Sequence, residues 1–141
     1  MMLLRPIFLL TLSFLLLSCG NSGEEFDNIE EEIQYLIDQN QYEDALDRLS
    51  GEDRDDPDIR RLYEMTYLNY GLHSMDTFDA GEMRTRMNDA LRYFTEVLRI
   101  NPDNEMARTQ IDQILDVYET IPDRQPEEEV LDGLREVGYN I

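Results

Sequence analysis

Two segments of the chain repeat one spacing. "ALDRLSGEDRDDP" places Leu49 four residues and Pro57 twelve residues after Ala45, and "ALRYFTEVLRINP" places Phe94 and Pro102 at the same offsets from Ala90. Residues four apart share a helix face. A small residue there lets a second helix approach closely, and the large residue one turn on fills the groove beside the crossing. Proline does not continue a helix, so it ends one element and sets the angle of the next. The repeated unit is therefore a pair of helices that buries its apolar face by stacking on its neighbours.

The intervening sequence is helical in pattern. Ile29, Ile33, Leu36 and Ile37 recur at helical spacing, a break falls near Asn40, and Tyr42, Ala45, Leu46 and Leu49 line a second helix. Ser50-Gly51 stops that helix, and the acidic turn "EDRDDPD" leads to a third over Asp58 to His73. Ser74 to Glu82 reads as a loop by its Gly, Asp and Thr content. Met83 to Ile100 is the clearest amphipathic helix, with Phe94 on its buried face, and Glu105 to Glu119 follows it. A last helix has Pro126 near its start, Glu127 to Glu129 toward the positive end of the helix dipole, and Gly138 just past its end. No segment has strand periodicity.

The spacing, with "NQYEDAL" and "LRINPDN", resembles the tetratricopeptide repeat over Phe26 to about Tyr118. Tyr70 falls where the first helix of such a unit carries Tyr, with Tyr63 at the bulky position before it; Leu36 and Leu115 occupy the Tyr position in the first and third units. The match departs in one respect: 45 residues, not about 34, separate the two Ala positions, with the excess near Leu72 to Met83. The resemblance implies an all-α fold, a short α-solenoid of helix-turn-helix repeats over 26–141, in units of about 26–57, 58–102 and 105–138. Val130 to Val137 forms a C-terminal capping helix that covers the open apolar end. It further implies a concave groove lined by first helices, which receives an extended peptide or a helix. In this register Asp27, Glu30, Gln34, Arg61, Glu64, Leu68, Gln113 and Asp116 face the groove.

The amino-terminal part is a different material. Residues 1–18 carry one charge, Arg5, followed by an apolar run of 12 residues from Pro6 to Leu17. That is too short for the roughly 20 residues that span a bilayer, and the pattern is that of a secretory signal. Leu16-Leu17-Ser18-Cys19 resembles the lipobox of bacterial lipoproteins, with Leu17 larger than the usual residue at its position. The resemblance implies cleavage between Ser18 and Cys19, diacylglycerol on the Cys19 sulfur and an acyl chain such as palmitate on the new amino group, with residues 19–25 as a lipidated tether. No other cofactor is expected. Two or more chains hold a protein stably to a membrane where one does not. Gly20, standing where Asp would retain a lipoprotein at the inner membrane, implies the periplasmic face of the outer membrane.

The sequence has 32 acidic and 12 basic residues, and every basic one is Arg. From Cys19 onward 11 Arg face all 32 acids, a formal charge of −21. Such a charge argues against nucleic acid as a partner and against lying flat on anionic lipid. It is compatible with a salt-adapted proteome and equally with a merely acidic protein of a high-GC genome. Catalytic constellations are absent from the sequence. His73, the only histidine, reads as a partly buried residue late in a helix, and "EDRDDPD" lacks the Gly and terminal Glu of a calcium loop. No metal site and no enzyme activity are expected. The function expected is that of an adaptor or scaffold anchored in the cell envelope by lipid, which binds another envelope protein or peptide. The alternative is a ligand- or cation-binding lipoprotein that uses its acidic surface.

The charge yields a prediction. The screening length falls from about 10 Å at 0.1 M salt to about 3 Å at 1 M, so repulsion among the acids relaxes. The melting temperature of a fragment spanning Asn21 to Ile141 is expected to rise between 0.1 and 1 M NaCl when followed by circular dichroism. A flat or falling curve would mean that Arg pairing already balances the acids.

Overall fold

Short polar side chains mark the helix ends. Asn28 accepts the Glu31 N–H and Asn104 the Ala107 N–H, each three residues on, as N-cap residues do. Asp56 accepts the Asp58 N–H at 2.8 Å ahead of Pro57, which opens its helix. Proline is favoured there because the first helical N–H has no partner to lose. Two helices end in Schellman motifs. At the first, Asn40 takes a left-handed φ of 59° while the Gln41 N–H bonds to the Leu36 carbonyl. At the second, Gly138 has φ 98° and the Tyr139 N–H bonds to the Leu134 carbonyl.

The structure, a computed structural model, describes residues 26–76, 81–122 and 124–141. These form six helices and, among the described residues, no strand: α1 (Ile29–Asp38), α2 (Tyr42–Leu49), α3 (Pro57–Asp76), α4 (Met83–Ile100), α5 (Glu105–Thr120) and α6 (Glu128–Glu136). The all-α expectation holds, and α4 has the bounds read from its periodicity. Ser50-Gly51 stops α2 at Leu49, as expected, and Pro57 starts α3. One expectation changes. The segment from Ser74 does not begin a loop, because α3 continues through Asp76. Ser74 is buried and returns its hydroxyl to the Tyr70 carbonyl at 3.0 Å, and Met75 packs on the core. Gly and Asp content cannot reveal that a helix persists when a back-bonded serine hides its own polarity.

Each of the first four helices packs on the next, α1 also meets α3, and α6 lies on α4. The apolar side chains form two clusters. One gathers Ile33 and Ile37 of α1, Tyr42, Ala45 and Leu49 of α2, and Ile59, Leu62 and Tyr63 of α3. The other joins α4, α5 and α6 through Leu91, Phe94, Leu98, Ile111, Ile114 and Leu134, with Leu68, Leu72 and Met75 of α3 packed against it. Helix α3 therefore belongs to both, its first turns to one and its last to the other. That is why its apolar residues do not form a single stripe. Both copies of the repeated pair are interior: Ala45, Leu49, Ala90 and Phe94 are all 0% exposed.

The tightest approach is between α3 and α4. A Cβ built on Gly71 would lie 2.5 Å from Phe94 Cε1 and 2.8 Å from Cδ1 and Cζ. Helix α6 is tied to α4 by polar groups. Asn88, wholly buried, accepts the Glu127 N–H at 3.0 Å and donates to the Arg84 carbonyl at 3.0 Å, so its amide is used on both sides. Arg92 pairs with Glu127 as well as Asp89, and Arg99 with Glu136 as well as Glu96.

Phe94→Ala is expected to lower stability by about 3–5 kcal/mol. Gly71→Ala is expected to lose about 1–3 kcal/mol through overpacking against the same ring. Because the two residues touch, their effects should not add. Urea titrations should show Phe94→Leu recovering part of the Gly71→Ala loss; strict additivity would mean that the two side chains do not meet.

Candidate functional site

The eight residues expected to face a groove lie on or beside α1, α3 and α5. Glu30 accepts from Arg61 at 3.2 Å and so links α1 to α3. Asp27 precedes the α1 cap, and its N–H donates to Glu31 at 3.0 Å; Gln34 donates to Asp38 at 2.9 Å. Glu64 turns to the α4–α5 connection, where it accepts from Asn101 at 2.8 Å and from Asn104 at 2.7 Å. Asn104 is also the cap of α5, so Glu64 fixes where α5 begins. Leu68 is half-buried against the second cluster. Gln113 and Asp116 are exposed on α5, and no hydrogen bond or ion pair joins them to the other six. The structure thus brings Glu30 and Arg61 into contact and commits Glu64 to holding a turn.

Ser18 and Cys19 lie outside the described residues. His73 sits half-buried in the last turn of α3, its ring 5.4 Å from that of Tyr42. In "EDRDDPD", the Asp53 and Asp56 carboxylates accept N–H groups of their own turn, from Asp55 and Asp58. Among the described residues, no group of three or more His, Cys, Asp or Glu is arranged to hold a metal ion, and no helix is long and apolar enough to cross a membrane.

Residues that, Tyr63 apart, the sequence did not single out line a cavity of about 270 Å³ where the α2–α3 turn meets α3 and the end of α4. Its walls are Arg54, Arg60, Arg99, Tyr63, Tyr67, Glu96 and Ile100. Arg54 places its guanidinium carbon 4.4 Å from the centre of the Tyr63 ring, a cation–π contact. The Tyr63 and Tyr67 rings stack at 6.2 Å. Arg60 donates to the Ile100 carbonyl at 2.9 Å, an otherwise unpaired group at the end of α4. Burial raises the pKa of Tyr67, and the Glu96 carboxylate adds to the effect, so its phenol stays protonated. Tyr63 is 3% exposed, and its hydroxyl is buried with no hydrogen-bond partner. Side-chain hydrogen bonding of imperfect geometry to that phenol, and then its charge, raise the pKa of Arg54. A buried polar group left so costs about 1–3 kcal/mol. Three of the twelve arginines fall within Arg54 to Arg61, the one sign in the sequence that this turn is more than acidic.

A second aromatic group crosses α2, α3 and α4. Tyr42 stacks on Tyr70 at 4.8 Å, and Tyr70 on Tyr93 at 3.9 Å. The Tyr70 hydroxyl donates to Glu43 at 3.2 Å. Burial pushes the Tyr93 phenol far above its ordinary pKa, and hydrogen bonding to Tyr70 adds to the effect. No protein-family model, curated protein or solved structure matches the chain.

Proposed function

We propose that the protein is a lipid-anchored adaptor of the bacterial cell envelope, held by acyl chains on Cys19 at the periplasmic face of the outer membrane. Its helical domain is a short tetratricopeptide-like solenoid that binds another envelope protein or a peptide and performs no catalysis itself. The observation that carries this reading is the burial of both copies of the Ala–large pair: Ala45 with Leu49, and Ala90 with Phe94. They sit in helices that each pack on the next along the chain, as stacked helix pairs require. The Glu30–Arg61 contact between α1 and α3 supports a common face for first helices. Gln34 on α1 and Gln113 on α5 remain exposed to meet a partner. Helix α6 acts as the cap, since it covers α4 through Val130 and Leu134.

Two measurements test this. Cys19→Ala is expected to leave an unlipidated precursor that no longer partitions into detergent; wild-type protein free of membranes after lysis would refute the anchor. A photo-crosslinker at Gln34 or Gln113 is expected to capture one envelope partner in living cells, whereas one at Asp132 on the cap should capture none. Equal capture from all three positions would refute the groove.

A further inference from the structure

We propose that the outer face of α5 pairs with the same face of a second copy of this chain, antiparallel about a two-fold axis. Helix α5 has three faces, read from its 3.6-residue period. Ala107, Ile111, Ile114 and Tyr118 are buried on one. All four of its acids, Glu105, Asp112, Asp116 and Glu119, gather on the next. The third carries Met106, Thr109, Gln110, Gln113, Val117 and Thr120, and no charge at all. Five of these six are exposed, and Gln110 is half-buried. Met106 is 51% exposed and Val117 41%, two of the four large hydrophobic residues left exposed among the described residues. A helix face without charge along its whole length stands apart in a chain with 32 acids.

The order of these residues is itself two-fold. Met106 and Val117 stand equally far from the midpoint between Ile111 and Asp112, and so do Gln110 and Gln113. An antiparallel pair about that midpoint sets Met106 against Val117 of the second copy at each end and gathers four glutamine amides at the centre. Such an interface presents one patch to itself, and amides match one another because each both donates and accepts. The hydrogen bonding agrees. Thr109 and Thr120 return their hydroxyls to the Glu105 and Val117 carbonyls at 2.8 and 2.7 Å, which hides their polarity within the helix. Gln110 reaches only the Met106 sulfur, at 4.0 Å, and the Gln113 amide makes no hydrogen bond among the described residues. Charge favours the same occupant. A basic partner would be drawn to the acidic faces, whereas a chain of net charge −20 meets its own copy with least repulsion where charge is absent. With 16 residues, α5 is about 24 Å long. One helix face of that length covers less than the roughly 1,200 Å² of a stable complex, so the pair is weak and forms at high local concentration. The two-fold axis puts the acids of both copies on the same side of the pair, so added salt strengthens it.

The pairing shares Gln113 with the proposed groove, so its test uses purified protein, free of any envelope partner. Intact chains carrying Cys19→Ala receive one new cysteine each, Met106→Cys or Val117→Cys, and are oxidised in detergent with copper–phenanthroline. Two cysteines join only when their Cα atoms come within about 7 Å, and positions 106 and 117 lie about 16 Å apart along one helix. A mixture of the two variants is therefore expected to form disulfide dimers at least about tenfold faster than either variant alone. Raising NaCl from about 0.1 to about 1 M should increase the yield of the mixture. Gln113→Glu, at an exposed position, adds a like charge to each copy and should cut that yield about tenfold with the circular dichroism spectrum unchanged. Equal rates in the mixture and in either variant alone would mean that chance collision or the apolar amino-terminal run brings the chains together. That result, or the absence of any dimer, would overturn the proposal and leave the face to a different protein.

Discussion

The contact between Gly71 and the ring of Phe94 sets the geometry of the whole domain. With no side chain at 71, α3 lies against α4 closely enough for a phenyl ring to occupy the space of a Cβ. That approach brings the last turns of α3 into the cluster built by α4, α5 and α6 while its first turns remain in the cluster of α1 and α2. A protein interior is packed like a solid, so a misfit of one methyl group at such a point is passed on to its neighbours. The aromatic stack of Tyr42, Tyr70 and Tyr93 runs across the same three helices and depends on the same spacing.

Around this apolar frame, arginine supplies the ties between helices. A planar, forked cation can engage two carboxylates at once where an ammonium offers a point charge. Arg48 spans α1 and the turn after α2, Arg92 and Arg99 reach from α4 to α6, and Arg135 gathers Glu128, Asp132 and the Ile141 carbonyl. Each bridge is exposed and worth little alone, about 0–1 kcal/mol. Their placement matters more than their strength, because they draw acids on different helices toward shared cations. Buried Asn88 works in the same direction without charge, receiving the chain at the start of α6.

How legible this was in the sequence varied with how local the cause is. The bounds of α4 followed from one unbroken apolar stripe, and its end from "NPDN". The burial of Phe94 followed from its place four residues after Ala90. The extent of α3 was less legible, because a helix buried on two sides has no clean stripe and Ser74 conceals its polarity by bonding to Tyr70. Gly71 reads as a weak point in a helix until Phe94 is known to lie above it. The groove residues were chosen by register alone, which cannot foresee that Glu64 is taken up by Asn101 and Asn104. The Arg54 cavity was invisible for a related reason: its members come from a turn, from α3 and from a helix end some 40 residues away, and only the fold joins them.

The membership of α3 in both clusters also bears on how the domain comes apart. In an array whose units share only interfaces, an end can open while the rest stays folded. Here the helix that completes the first cluster is the one that presses Gly71 onto Phe94 in the second. Loss of α3 therefore removes a wall from each, so the two halves are expected to unfold together. Helices α5 and α6 both rest on α4 and take no part in the first cluster. The core shared through α3 is expected to melt as one cooperative body.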